Sequence, residues 1–212
     1  MQNNLNIRRL VSVYTHASTV NSGLGKYTTV NELTDQLPAT RPVVLRAAVY
    51  MLYSMGRILG NKVLSEDDKG AILAGMFATA VDRPLAMARQ YPYNLPAEYG
   101  SVAVPLDMEY QTGARLLVNG IATGDKVTII DDTLSTGGTA AALIQAVRVR
   151  GAEVVEMRVV AEKLGFGGRE RLKALGINVK SVLGIAIDAN HRVSVQEVLG
   201  RLITPEELRC DE

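Results

Sequence analysis

Residues 127–139 read VTIIDDTLSTGGT, and this run constrains the fold more than any other. Val127, Ile129 and Ile130 predict a buried strand over Lys126–Ile130, whose carboxyl end delivers Asp131 and Asp132 to the edge of a sheet. Thr133–Thr139 then turn the chain into a helix over 138–150. Gly137 and Gly138 free the backbone to approach a ligand, while Ser135, Thr136 and Thr139 set hydroxyls beside the unpaired amides of a helix N-terminus, which favour an anion. A phosphate group is the predicted occupant. Two carboxylates beside a phosphate repel it unless they face hydroxyls or a cation, and a sugar phosphate supplies the hydroxyls. A helix cap needs one acid; two acids followed by Ser-Thr-Gly-Gly-Thr exceed that need. Neither a Walker loop nor a Gly-x-Gly-x-x-Gly dinucleotide fingerprint is present.

The rest of the chain alternates between strand and helix patterns. A first helix is expected within residues 4–20, a β-prone run at Tyr27–Val30, and a second, buried helix within 43–59. Strands follow at 62–64, 84–88, 114–118, 126–130, 153–161 and 177–187, with helices at 70–81, 138–150 and 168–175; residues 91–100 read as a loop. Strands separated by helices of this length pair in parallel through right-handed crossovers. The expected fold is therefore α/β: an open, mainly parallel sheet flanked by helices, with an N-terminal helical and hood segment over 1–60, a core over 61–190 and a tail over 191–212. Tyr50, Met51, Tyr53 and Met55 are expected in the core of the second helix.

Composition narrows the function classes. With 23 Lys and Arg against 22 Asp and Glu, the net charge of +1 gives no broad field for nucleic acid or an anionic membrane, so any anion site is local. Cys210 is the single cysteine, which excludes a disulfide framework and a zinc cluster. No run of 18 apolar residues occurs, and the first 14 residues lack the apolar core of a signal peptide; a cytoplasmic protein is expected.

VTIIDDTLSTGGT resembles the phosphoribosyl pyrophosphate (PRPP) signature of type I phosphoribosyltransferases. The resemblance covers roughly residues 62–187 and is nearest to the adenine branch, through TGDKVTIIDD, RVRGAEV and GFGGRERLKALGI. It implies that Asp131 and Asp132 hold the ribose hydroxyls and that Ser135, Thr136, Gly137, Gly138 and Thr139 hold the 5′-phosphate. Glu66-Asp67-Asp68-Lys69-Gly70 falls where the family places its pyrophosphate loop, so Asp68, Lys69 and Gly70 are implied there, with Arg89 as a second contact whose guanidinium fork matches phosphate oxygens. Asp107-Met108-Glu109-Tyr110 resembles the family's Asp-Leu-Glu-Tyr, which implies a catalytic role for Glu109 near the base. Tyr27 stands where adenine-type enzymes place a hood aromatic, and Tyr27 and Lys69 are the implied base contacts; His16 and His191 are expected to be structural or exposed.

The implied reaction joins a base to the anomeric carbon of PRPP and expels pyrophosphate, leaving a nucleoside monophosphate. Magnesium is implied as cofactor, carried by PRPP and met by Asp131 and Asp132 rather than caged by protein alone. Adenine is the leading base. Asp68-Lys69 in place of a small residue and Arg, Gln90 in place of Lys, and Tyr27-Thr28-Thr29 in place of Phe-Arg-Asp keep another purine or purine-like heterocycle open. A PRPP-sensing regulator is a further alternative, although residues 1–60 show no basic recognition helix. A homodimer is the expected assembly.

Overall fold

A computed structural model describes residues 2–23, 26–89, 102–108, 111–199 and 201–202. In chain order the elements are α1 (Gln2–Thr15), β1 (Ser18–Gly23), β2 (Lys26–Val30), α2 (Pro42–Ser54), β3 (Lys62–Glu66), α3 (Ala71–Ala80), β4 (Leu85–Arg89), β5 (Val102–Met108), β6 (Gln111–Val118), β7 (Lys126–Leu134), α4 (Gly138–Val149), β8 (Glu153–Lys163), α5 (Gly168–Ala174), β9 (Val179–Ile187), β10 (Val193–Val198) and β11 (Arg201–Leu202). Among the described residues nine strands form one sheet in the order β11-β10-β9-β8-β7-β3-β4-β6-β5, and β1 and β2 form a separate antiparallel hairpin. The five central strands, β9 to β4, run parallel, as the alternating pattern predicts; both margins are antiparallel.

Alternation along the central strands feeds two cores. Ile130, Val160 and Val182 face α1, α2 and α3, where Leu10, Tyr14, Met51 and Phe77 are buried. Ile129, Met157 and Val159 face α4, where Leu143, Ile144 and Val147 are buried. From β3 the chain crosses over α3 to β4 on one side, whereas from β7 it crosses over α4 and α5 toward β8 and β9 on the other. The crossovers therefore diverge between β3 and β7, and the carboxyl ends of these two strands open a crevice there, the place where such sheets take ligands.

Several boundaries move from their sequence positions. The first helix stops at Thr15 because the Thr15 hydroxyl donates to Val11 O at 2.9 Å and His16 Nδ1 meets Ser12 O at 2.8 Å, and the β-branched Thr19 and Val20 then enter β1 instead of continuing the helix. Tyr50 and Tyr53 are on the surface, at 39% and 59% exposure, while Met51 is buried; only one side of α2 meets the core. The strand at 126–130 continues to Leu134, because its pairing with β8 persists through Leu134 opposite Glu162. Val193–Val198 pairs with β9, so the segment expected as a tail extends the sheet. The loop at 91–100 and Cys210 lie outside the described residues.

Beneath the sheet, Arg158 is wholly buried and binds the end of α2. Its Nη1 donates to Leu52 O at 2.8 Å and Gly56 O at 3.0 Å, and its Nη2 to Arg57 O at 2.8 Å and Glu156 Oε1 at 3.0 Å. Leu52 O is a carbonyl that the helix terminus leaves unpaired, and Gly56 O and Arg57 O lie just beyond it. Burial opposes the charge of Glu156, but Arg158, the Leu59 amide and Lys180 outweigh it and hold the carboxyl below its ordinary range.

Candidate functional site

At the switch point, the ends of β3 and β7 and the N-terminus of α4 line a cleft that also receives residues of the β1–β2 hairpin. It gathers Asp68, Lys69 and Gly70 from the turn after β3, and Asp131, Asp132, Ser135, Thr136, Gly137, Gly138 and Thr139 from β7 and its turn, the set that the family resemblance implies. Gly70 is required by close approach: a Cβ there would lie 2.3 Å from Asp131 Oδ1, so the β3 turn packs directly on the acid pair. Gly137 serves the turn itself. It caps α4 at φ 74°, and a Cβ on it would meet Leu172 Cδ1 at 2.7 Å, so its missing side chain makes room for α5 rather than for a ligand.

Charge in the cleft is unbalanced. Glu66, Asp68, Asp131 and Asp132 face only Lys69 and Lys163 among the described lining residues. Burial, the charge of Asp132 and that of Glu66 push the Asp131 carboxyl well above the ordinary range. Burial also raises Asp132, against hydrogen bonds from its neighbours, including the Thr133 hydroxyl at 2.9 Å, and the charge of Lys69. Two adjacent acids, Asp132 buried and Asp131 partly so, therefore resist ionising together, and a cation or a set of ligand hydroxyls would favour their charged forms. Among the described residues no group of three or more His, Cys, Asp or Glu could hold a metal unaided. The acid pair fits a divalent cation that arrives with further oxygen ligands of its own.

Glu66 is pushed up to about 7, first by burial and then by the charge of Asp68, with Asp132 adding and the Thr139 hydroxyl partly offsetting. An unfolded glutamate titrates at about 4.3. Between these values the folded chain binds the proton more tightly than the unfolded one, so stability is lost as pH rises through the window. The neutral isostere Glu66→Gln is expected to match the parent closely at pH 4, below the window, and to be about 2 kcal/mol more stable at pH 8. Thermal unfolding at the two pH values measures this; a difference that does not change with pH would contradict it.

Two implied residues stand off the cleft. Arg89 ends β4 with its Nε 3.3 Å from Asp67 Oδ2, at the rim and half-exposed. Tyr27 turns away: its ring stacks on His191, with centroids 3.8 Å apart and planes at 20°, and the Thr19 hydroxyl donates to His191 O at 2.9 Å. The hairpin is thereby pinned to the β9–β10 turn, and it presents Thr28, Thr29 and Ser22 to the cleft in place of an aromatic. Glu109 lies outside the described residues.

Two residues beyond the motif bear on the cleft, one lining it and one holding a lining residue. Lys163, at the end of β8, is 6% exposed, and its Nζ donates to Thr28 Oγ1 at 3.3 Å and Tyr27 O at 3.4 Å. In sequence it reads as a polar strand end, and nothing local marks it. Asp35, in the turn after β2, lies 2.6 Å from Lys69 Nζ through its Oδ1.

An open sheet whose switch point offers paired buried acids, a hydroxyl-rich helix N-terminus and an opposing lysine is the layout of an enzyme that handles phosphorylated ribose. No family model matches the chain. It is 30% identical over 172 residues to a hypoxanthine/guanine phosphoribosyltransferase from Methanothrix thermoacetophila, covering 80% of this chain and 86% of that one. Among solved structures, adenine phosphoribosyltransferase from Rhodothermus marinus is 31% identical with a TM-score of 0.65, covering 83% of this chain and 98% of that one. The Giardia lamblia adenine enzyme in complex with 9-deazaadenine is 25% identical with a TM-score of 0.69, covering 82% and 97%. The chain belongs to the type I phosphoribosyltransferase family.

Proposed function

We propose that this protein transfers the 5-phosphoribosyl group of PRPP to a purine base, releasing pyrophosphate and forming a nucleoside monophosphate. The observation that carries the reading is the Asp131-Asp132 pair placed directly before the α4 N-terminus and packed against Gly70. The 5′-phosphate sits in the amides and hydroxyls of Ser135–Thr139, the ribose hydroxyls meet Asp131 and Asp132, and pyrophosphate lies against Asp68, Lys69 and Gly70 with Arg89 at the rim. During transfer the bond from the anomeric carbon to the pyrophosphate oxygen breaks, and a bond to a ring nitrogen of the base forms as that nitrogen loses its proton. Positive charge develops on the ribose, and the ionised acid pair stabilises it. Glu109 is assigned to the base proton from the family resemblance. Magnesium, held by PRPP oxygens together with Asp131 and Asp132, would neutralise the leaving pyrophosphate.

The base meets the hairpin side, where Lys163 and the hydroxyls of Thr28 and Thr29 are donors. A cationic donor favours a carbonyl acceptor, so a 6-oxopurine such as hypoxanthine or guanine fits this wall better than the exocyclic amine of adenine. The Methanothrix relative, named for hypoxanthine and guanine, supports this choice. Adenine, which the motif resemblance puts first, is the second reading, favoured by the adenine enzymes among the structural neighbours.

The test is pyrophosphate release from PRPP and magnesium with adenine, hypoxanthine, guanine and xanthine in turn. Lys163→Met is expected to lower kcat/KM for the oxopurines by about a hundredfold and to leave adenine nearly unaffected. Turnover of adenine alone would overturn the base assignment, and PRPP binding without base-dependent release would point to a sensor. A homodimer is part of the same reading, supported by the groove that Tyr50 and Tyr53 of α2 form with Met76 of α3; sedimentation tests it. No helix among the described residues is long and apolar enough to cross a membrane.

A further inference from the structure

Lys69 is held from outside the sheet. Its Nζ lies 2.6 Å from Asp35 Oδ1, and Asp35 belongs to the turn that follows the hood strand β2. The other carboxylate oxygen of Asp35 is fixed within that turn, where Oδ2 accepts from the Asn31 amide at 3.2 Å and from the Thr34 hydroxyl. Asn31 braces the same turn, its Oδ1 accepting from the amides of Leu33 at 2.8 Å and Thr34 at 3.1 Å. One carboxylate oxygen is thus tied to the backbone and the other is aimed at the lysine.

The pair is sheltered, with 15% of the Asp35 side chain and 33% of the Lys69 side chain exposed, so solvent screens it only in part. The next anions that act on Lys69 are Asp132 and Asp68. Without Asp35 those two carboxylates alone would draw on the ammonium group. A flexible four-carbon stem has no stiffness of its own to resist that pull.

We propose that Asp35 is a positioning residue for the transfer reaction: it holds Lys69 at the pyrophosphate end of the cleft and ties the hood, which carries the base wall, to the loop that grips the leaving group. The proposal rests on the reading of Lys69 as a pyrophosphate contact.

The experiment is a double-mutant cycle on the full chain, comparing the parent, Asp35→Asn, Lys69→Met and the combined variant. KM for PRPP, kcat and the Kd for magnesium pyrophosphate by calorimetry are read for each. Asp35→Asn is expected to raise KM for PRPP and the pyrophosphate Kd by about tenfold and to leave kcat at saturating PRPP within about threefold. Asp35→Glu is expected to recover most of the loss, and Asp35→Asn in the Lys69→Met background to add none. Asp35→Ser keeps an acceptor for the turn without the charge, and gives the same answer if the asparagine variant folds poorly. Equal losses in both backgrounds, or an unchanged pyrophosphate Kd in Asp35→Asn, would overturn the proposal. If the cycle holds for pyrophosphate binding while no purine drives release from PRPP, the transfer reading fails and the Asp35–Lys69 linkage stands.

Discussion

Replacing Asp131 and Asp132 together by asparagine is expected to lower phosphoribosyl transfer by about a thousandfold or more, equivalent to roughly 4 kcal/mol of transition-state stabilisation, while the fold persists. In the proposed reaction the acids are the negative groups facing the ribose as it becomes cationic, and asparagine keeps their shape without their charge. The direction of the stability change separates this from unfolding. Both carboxyls are raised by burial, so at pH 8 their ionisation works against the folded state, and the double variant is expected to melt higher than the parent in the absence of ligand. Pyrophosphate release and thermal unfolding at pH 8 are the two measurements. A variant that turns over within tenfold of the parent would remove the acids from the mechanism, and one that melts lower would show that they serve the fold instead.

Arg158→Ala is expected to cost about 3–5 kcal/mol of stability. The guanidinium is wholly buried and serves three carbonyls at and beyond the end of α2, Leu52 O, Gly56 O and Arg57 O, together with Glu156. Its removal strands those acceptors and leaves Lys180, at 3.0 Å, as the remaining counter-charge for Glu156. For a chain of this length the melting temperature should fall by about 10 °C. Arg158→Lys cannot reproduce the fork and is expected to recover only part of the loss. Urea unfolding monitored by circular dichroism gives the value; a loss under about 1 kcal/mol would mean that the network is replaceable by water. Replacing the pair together, with Glu156→Gln and Arg158→Leu, should cost less than Arg158→Ala alone, because no buried charge is then left uncompensated.

Positions 126–139 are legible from the sequence because their chemistry is contiguous. A run of β-branched residues makes a strand, its end must lie at the sheet edge, and the hydroxyls and glycines that follow must form the next helix's N-terminus. Alternating strands and helices likewise settle a parallel centre, since crossovers of that length admit little else. Asp131, Asp132 and the Ser135–Thr139 turn could therefore be placed together before any coordinates, whereas Lys69 joins them through the family resemblance. Tyr27, implied as a base contact, stacks on His191, 164 positions away, and no local pattern foretells that stack or which hairpin side chains it leaves facing the cleft. Lys163 and Thr28 meet across 135 positions, and Asp35 and Lys69 across two elements that do not adjoin in the chain. Arg158 sits in the apolar run VVEMRVVAEK, where nothing local separates a buried cap for α2 from an outward-facing arginine. The proposed phosphate and ribose end of the cleft thus belongs to one local segment, readable in order along the chain. The proposed base wall, the grip of Asp35 on Lys69 and the anchoring of α2 depend on side chains that only chain closure brings within hydrogen-bonding distance, and local patterns carry no information about such meetings.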